Sequence, residues 1–215
     1  MKVRLIAITQ PVIEECSNPR ELLAYCARVS NSANQSNHAT GPKLLKRLVD
    51  KKEWSPFEMV SLTMEITTTR DIARQILRHR SFSFQEFSQR YAAVTAPPVL
   101  REARMQDHKN RQSSLETDDE TIQVWWADSQ YRVAETSIEV YEEALSRGIA
   151  KEVARAVLPE GMTESRLYMA GTLRSWLHYC QLRAESETQK EHRLVPLACQ
   201  KAIVEYFPDT ASLFA

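Results

Sequence analysis

The sequence is poor in glycine. Four occur in 215 residues, at 41, 148, 161 and 171, and none belongs to a G-x-G-x-x-G or a G-x-x-x-x-G-K-[ST]. Backbone cradles for a dinucleotide or a triphosphate are therefore excluded, and any phosphate must be held by side chains. Cysteine is equally sparse. Cys16, Cys26, Cys180 and Cys199 are scattered, with no C-x-x-C and no zinc-type Cys/His spacing, so no metal is expected. Cys26 and Cys199 fall at apolar helical positions and read as small buried hydrophobes. Nor is charge of one sign in excess: 28 Lys and Arg balance 28 Asp and Glu. That removes the global electrostatic footprint of a nucleic-acid or anionic-membrane binder. No run approaches the roughly eighteen apolar residues of a membrane span, and the apolar part of "MKVRLIAITQP" is too short for a signal peptide. A reduced, cytoplasmic protein is expected.

What is present is an ordinary globular pattern, long enough for one sizeable core. "KVRLIAIT" reads as a strand bounded by Pro11. "NPRELLAYCARVS" reads as a helix, with Asn18 as N-cap, Pro19 at the first helical position and Leu22, Leu23, Cys26 and Val29 as its apolar stripe. "PKLLKRLVDKK" has helical spacing, and "SLTMEIT" alternates as a strand with Leu62, Met64 and Ile66 on one face. In "RDIARQILRHR", Arg70, Arg74 and Arg78 line one helical face opposite Ile72, Ala73, Ile76 and Leu77. For Arg70 and Arg74 a solvated stripe is the expectation. Residues 95–122 read as a long surface excursion without sustained period. Helices are expected at 124–147, in "AKEVARAVL" up to Pro159, at 164–183, and at 189–207 with Pro196 near the start or at a kink. The fold class expected is α+β: one domain over residues 1–215, a central, mostly antiparallel sheet flanked by helices, and a helical C-terminal third.

The densest chemistry lies in "RHRSFSFQEFSQRY", residues 78–91, where three arginines, a histidine and a glutamate stand beside Phe82, Phe84, Phe87 and Tyr91. A solvated face rarely carries so many aromatics, and a core rarely accepts unpaired guanidiniums. The combination suits a flat, negatively charged ligand, because a guanidinium fork engages phosphate or a pyrimidine edge through paired bonds.

This stretch resembles the signature of the flavin-dependent thymidylate synthases, RHRxxSxxExSxRY, matched without a gap by Arg78, His79, Arg80, Ser83, Glu86, Ser88, Arg90 and Tyr91. "ARVS" (27–30), "WSPFE" (54–58), "KEVARAVLP" (151–159) and "LRSWLHYCQLR" (173–183) resemble the family's other blocks in order. "TQKEH" (188–192) is similar to a subgroup of cyanobacteria and large viruses. The resemblance implies an FAD-dependent enzyme that makes dTMP from dUMP, 5,10-methylenetetrahydrofolate and NADPH, as a homotetramer with intersubunit active sites. It implies FAD contacts at Ser30, Ser55, Arg78, His79, Arg80, Glu86, Thr172, Leu173, Arg174 and His178. For dUMP it implies Gln75, Ile76, Leu77, Arg78, Glu86, Phe87, Ser88, Gln89, Arg90, Arg155 and Arg183. The chain departs from many members at Glu53 and Met59 (histidine elsewhere), His178 (often asparagine) and Gln89 (often glycine).

Methylation at C5 of uracil needs either a thiolate added at C6 or polarisation of the ring. No cysteine has a positioned partner within the motif blocks, so the expected catalytic group is Arg183, stabilising negative charge at N3 and O2. Ser88 has no histidine–carboxylate pair spaced to activate it and is expected to position substrate. Arg174 and His178 lie about 40° apart on an ideal helix, with Arg183 nearly opposite Arg174. Either the helix breaks before Arg183 or its two faces serve different sites. His38, His108 and His192 are expected at the surface or as caps, and Trp125, Trp126, Trp176 and Tyr179 in the core or an interface. The rival readings are a dUMP-hydroxymethylating relative and a single-stranded nucleic-acid binder.

Overall fold

The computed structural model describes residues 1–214. In chain order its elements are β1 (Lys2–Ile8), α1 (Pro19–Ala27), α2 (Gly41–Lys51), β2 (Ser61–Thr69), α3 (Arg70–Ile76), β3 (Ser83–Glu86), β4 (Arg104–Gln106), β5 (Ser114–Glu116), α4 (Glu120–Ser146), α5 (Lys151–Ala154), β6 (Glu164–Thr172), α6 (Leu173–Arg183) and α7 (Lys190–Tyr206), with short 3-10 turns between several of them. The main sheet has the order β1-β2-β6-β3, every pair antiparallel. The α+β class with an antiparallel sheet flanked by helices is borne out.

Alternation in β2 puts Leu62, Met64 and Ile66 on one face, where they join Leu167 and Met169 of β6. Against that face pack Ile72, Ala73 and Ile76 of α3, Trp176, Leu177, Tyr179 and Cys180 of α6, and Val195, Cys199 and Ile203 of α7. The buried Trp176 indole donates to the Leu62 carbonyl at 3.1 Å, so its one polar atom is satisfied. Asn18 caps α1 as expected, its side chain accepting from the Glu21 N–H at 3.0 Å.

Two strands run into helices with no loop between. β2 ends at Thr69 and α3 begins at Arg70; β6 ends at Thr172 and α6 begins at Leu173. The Thr172 side chain accepts from the Ser175 N–H, which lets the chain turn from strand to helix on one residue.

Several expectations are corrected here. Residues 164–172 form a strand rather than the first half of a helix. "ESRLYMAGT" buries Ser165, Leu167 and Met169 in alternation and is bonded on both sides, to β2 and to β3. The motif of residues 78–91 likewise contains a strand, β3, at the sheet's edge. The 95–122 excursion carries a hairpin, β4–β5. Only Lys151–Ala154 of "AKEVARAVL" is α-helical, followed by a 3-10 turn at Arg155–Val157. Pro196 lies inside α7, where it offers no N–H to the His192 carbonyl. Cys199 is fully buried, whereas Cys26 is only partly so.

Candidate active site

The motif is laid out by α3, the turn after it and β3. Phe82, in the turn, lies over Gly171 of β6: a Cβ there would stand 2.5 Å from the ring's Cδ1. The ring also meets Trp176 and Tyr179 edge-on, with centroids 4.9 and 5.9 Å away. A glycine is needed at 171 for this close approach. β3 then pairs with β6 from Ser83 to Glu86, and the Phe87 N–H donates to the Arg166 carbonyl at 2.8 Å. Behind it the chain turns on Ser88, whose carbonyl accepts from the N–H groups of Tyr91 and Ala92.

This frame sorts the expected site residues into groups. In the first, Arg183 at the end of α6 donates from Nε to Nε2 of His79 at 3.0 Å. His79 is half-buried, and burial, with the nearby Arg183 and Arg78 cations, lowers its pKa. The ring is therefore neutral at pH 7 and accepts at Nε2. Among the described residues the terminal guanidinium nitrogens of Arg183 have no hydrogen-bond partner. Gln75 lies on the same side of the molecule, bonded through Nε2 to Gln189 at 2.8 Å and through Oε1 to His192 at 3.2 Å.

The second group centres on Glu86, which accepts from the Ser165 hydroxyl at 2.7 Å and faces Arg70 at 3.6 Å. Arg70 is not a solvated residue: its side chain is 15% exposed, and one buried terminal nitrogen has no hydrogen-bond partner. β2 delivers it inward at the first position of α3, next to the motif's glutamate. Arg74 does lie at the surface, paired with Glu160. The third group brings Arg90 and Arg155 to one residue, Glu152: Arg90 donates to its carboxylate at 3.1 Å and Arg155 to its backbone carbonyl at 3.3 Å.

A fourth group lies at the other end of α6. Arg174 pairs with Glu58, in the 3-10 turn Ser55–Glu58, and the His178 ring meets Trp54 edge-on at 5.5 Å. Burial and Arg174 lower the pKa of His178, so it too is neutral at pH 7. Ser30 is separate again, lining an open cleft with Arg28, Arg47 and Glu53. α6 is continuous from Leu173 to Arg183, so the option of a break before Arg183 is removed and its faces stay opposed.

Some placements limit what a residue can do. The Ile76 side chain is fully buried in the core, leaving only its backbone for a ligand. Gln89 is 3% exposed and its buried amide nitrogen has no partner, a cost of about 1–3 kcal/mol that a ligand acceptor would remove. Arg78 and Arg80 are exposed and, among the described residues, enter no ion pair. Three of the cysteines are poor thiolates: burial raises the pKa of Cys16, Cys26 and Cys180.

One residue that sequence reasoning placed at the surface belongs here. His192 is 1% exposed, lying between Gln75 and the Tyr179 hydroxyl, which is 3.1 Å from its Nε2. The signal available was its place on the apolar side of α7, three residues before Val195 and seven before Cys199. Trp176 and Tyr179 are core residues as expected, whereas Trp125 and Trp126 are 61% and 37% exposed.

The turn after α3 presents the exposed Arg78 and Arg80, and the edge strand β3 that follows presents a hydroxyl and an aromatic ring, with no glycine cradle: a class of site in which side chains, not backbone, would hold a planar anionic ligand. The donor types fit a phosphate-bearing cofactor with a flat ring system: the arginines at 78 and 80 are exposed and, among the described residues, unpaired, and Ser83 and Ser88 are exposed as well. The family model for "Thymidylate synthase complementing protein" matches residues 11–209, and the chain belongs to that family. It is 52% identical over 215 residues to the "Flavin-dependent thymidylate synthase" of Synechocystis sp., covering 99% of this chain and 98% of that protein. It is 49% identical over 211 residues to the "Probable flavin-dependent thymidylate synthase" of Paramecium bursaria Chlorella virus 1, covering 98% and 97%. Among solved structures it is similar to the UMP/dUMP methylase PolB from Streptomyces cacaoi, bound with 5-Br dUMP (TM-score 0.81, 27% identity, 99% of this chain and 93% of that one) or 5-Br UMP (TM-score 0.83, 26% identity, 99% and 92%). The resemblance carried by residues 78–91 is borne out at the level of the family.

Proposed function

We propose that the chain, one domain over residues 1–215, is an FAD-dependent thymidylate synthase of the cytoplasm. It converts dUMP to dTMP with the methylene of 5,10-methylenetetrahydrofolate and reducing equivalents from NADPH. FAD, when bound, supplies the hydride that completes the methyl group. The chain's own part is to hold the nucleotide and to stabilise negative charge on its ring. Arg90 and Arg155, gathered at Glu152, supply cations for the nucleotide phosphate. Gln75, Ser88 and Gln89 supply neutral donors and acceptors that orient the base.

The observation that carries this reading is the bond from Arg183 Nε to His79. A neutral imidazole fixes the plane of the guanidinium without neutralising it, and leaves the two terminal nitrogens for a pyrimidine edge. Fixed donors aimed at a developing anion lower the barrier without reorganising during reaction. The raised thiol pKa values favour this route over a cysteine adduct.

A homotetramer with intersubunit sites is part of the proposal. The opposed faces of the unbroken α6 support it, as does the outer side of α4. There Trp125, Trp126, Val133 and Val140 are 61%, 37%, 52% and 42% exposed. They fall within about 100° of one another around the helix, an apolar stripe that suits a second copy.

The purified protein should show flavin absorption, or gain it on titration with FAD. With dUMP, methylenetetrahydrofolate and NADPH it should yield dTMP by mass analysis. Protein that takes up no flavin refutes the proposal, and a 5-hydroxymethyl product redirects it to the hydroxymethylating relative. Salt-steep binding of single-stranded oligonucleotides without flavin supports the nucleic-acid reading instead.

A further inference from the structure

Behind the site runs a chain of hydrogen bonds of which the proposed reaction uses one member, Gln75. It begins at Arg104 of β4, which donates to one oxygen of Glu191 at 2.6 Å. Gln189 donates from Nε2 to the other Glu191 oxygen at 2.9 Å. Gln75 donates to Gln189 Oε1 at 2.8 Å, and Gln75 Oε1 faces His192 Nδ1 at 3.2 Å. The chain ends at the Tyr179 hydroxyl, 3.1 Å from His192 Nε2.

One group sets the direction of every bond. Burial opposes ionisation of Glu191, yet the Arg104 bond and the other donors outweigh it and hold the pKa below the usual carboxylate range. An ionised carboxylate only accepts. Gln189 must therefore present its NH2 to Glu191 and its oxygen to Gln75. Gln75 must then present its NH2 to Gln189 and its oxygen to His192. His192 in turn carries its proton on Nδ1, and its Nε2 accepts from the Tyr179 hydroxyl. No amide in the series can flip without pairing two donors or two acceptors.

We infer that His192 is a positioning residue: its Nδ1–H, with Gln189 on the other side, locks the Gln75 amide in one orientation and thereby sets which atoms Gln75 offers to the nucleotide. This rests on the proposed function, in which Gln75 contacts dUMP. His192 itself touches no ligand, being enclosed by the protein. The remaining lone pair of Gln75 Oε1 and the second hydrogen of Nε2 are what the site receives. The Arg104–Glu191 pair ties this orientation to the β4–β5 hairpin, and Lys190 bonds to Glu102 and Glu116 beside it.

Two substitutions separate positioning from packing. In His192→Asn the side-chain NH2 falls where Nδ1 was, so the bond to Gln75 survives while the Tyr179 hydroxyl loses its acceptor. In His192→Gln the polar end reaches Tyr179 and nothing donates to Gln75. Each variant keeps one bond and loses one. Purified holoprotein is titrated with dUMP by calorimetry. We expect His192→Asn to bind within about threefold of the unsubstituted protein and His192→Gln about tenfold more weakly, the effect of one oriented hydrogen bond. Equal losses, or a larger loss for asparagine, would overturn the inference. Gln189→Leu, at a half-buried position outside the core, removes the other clamp on the same amide. It should weaken dUMP about fivefold, and normal affinity there overturns the inference even if neither His192 variant folds. Failure of the unsubstituted protein to bind dUMP would be a failure of the proposed function, seen before any variant is compared.

Discussion

Replacing Gly171 by alanine adds one methyl group at the most crowded point behind the motif. The new Cβ would stand 2.5, 2.8 and 3.3 Å from Cδ1, Cε1 and Cγ of Phe82, where carbon atoms normally keep about 3.5–4 Å. The ring cannot simply swing aside. It is bounded by Trp176 and Tyr179, both at 2% exposure or less, and by Phe84 with its centroid 6.3 Å away. Relief requires a shift of about 1 Å in the ring or in β6, and overpacking of this kind costs about 1–3 kcal/mol. For a chain of this length that corresponds to a fall in melting temperature of roughly 2–12 °C. Phe82 also sets the turn between His79 and β3, so FAD content should fall with stability. Calorimetric melting of Gly171→Ala, Phe82→Leu and the double variant measures the effect. The smaller leucine should make the alanine less damaging than in the parent, a coupling expected of touching residues. A melting temperature within about 1 °C of the parent would refute the steric argument.

Three further outcomes are expected. Arg183→Lys keeps the charge but loses the planar fork and the His79 bond; dTMP formation should fall about 100-fold with normal FAD content, and near-normal turnover would demote Arg183 to a structural residue. Burial first, then Arg183 and His79, push the pKa of His192 to about 4 from the 6.5 of the unfolded chain. Between those values the unfolded state binds more protons, so stability should be full above pH 6.5 and fall by about 3 kcal/mol as pH drops to 4. Urea unfolding that is unchanged from pH 7 to pH 5 would contradict this. Trp125→Glu with Val133→Glu should reduce the particle mass in light scattering and abolish activity at low concentration; an unchanged tetramer would exclude the α4 stripe from the assembly.

The parts of the fold legible in the sequence were those with a local cause. Asn18 and Pro19 mark the start of α1, and the period of two through Leu62, Met64 and Ile66 marks β2. β6 is hard to tell from the start of a helix because its short alternation leads directly into the apolar spacing of α6, with no loop between them. The motif announced its ligand chemistry but not its backbone, since β3 exists only through its pairing with β6. Arg70 and His192 were misplaced for one reason. Each is held by contacts distant in sequence, the largely covered Arg70 by Glu86 and the buried His192 by Gln75 and Tyr179, and composition alone cannot register such partners.

The absence of any linker between β6 and α6 leaves no slack. A single residue inserted at this junction would turn α6 by about 100° and advance it by about 1.5 Å. Arg174 would leave Glu58, Arg183 would leave His79, and Trp176 would be rotated out of the core in the same event. The same arithmetic applies where β2 meets α3 and would move Gln75. Length changes in this protein should therefore be tolerated at the tip of the hairpin between Gln106 and Ser114 and rejected at both strand–helix joins. A library of one-residue insertions, scored for growth without thymidine in a strain lacking its own synthase, would map that intolerance as two sharp minima.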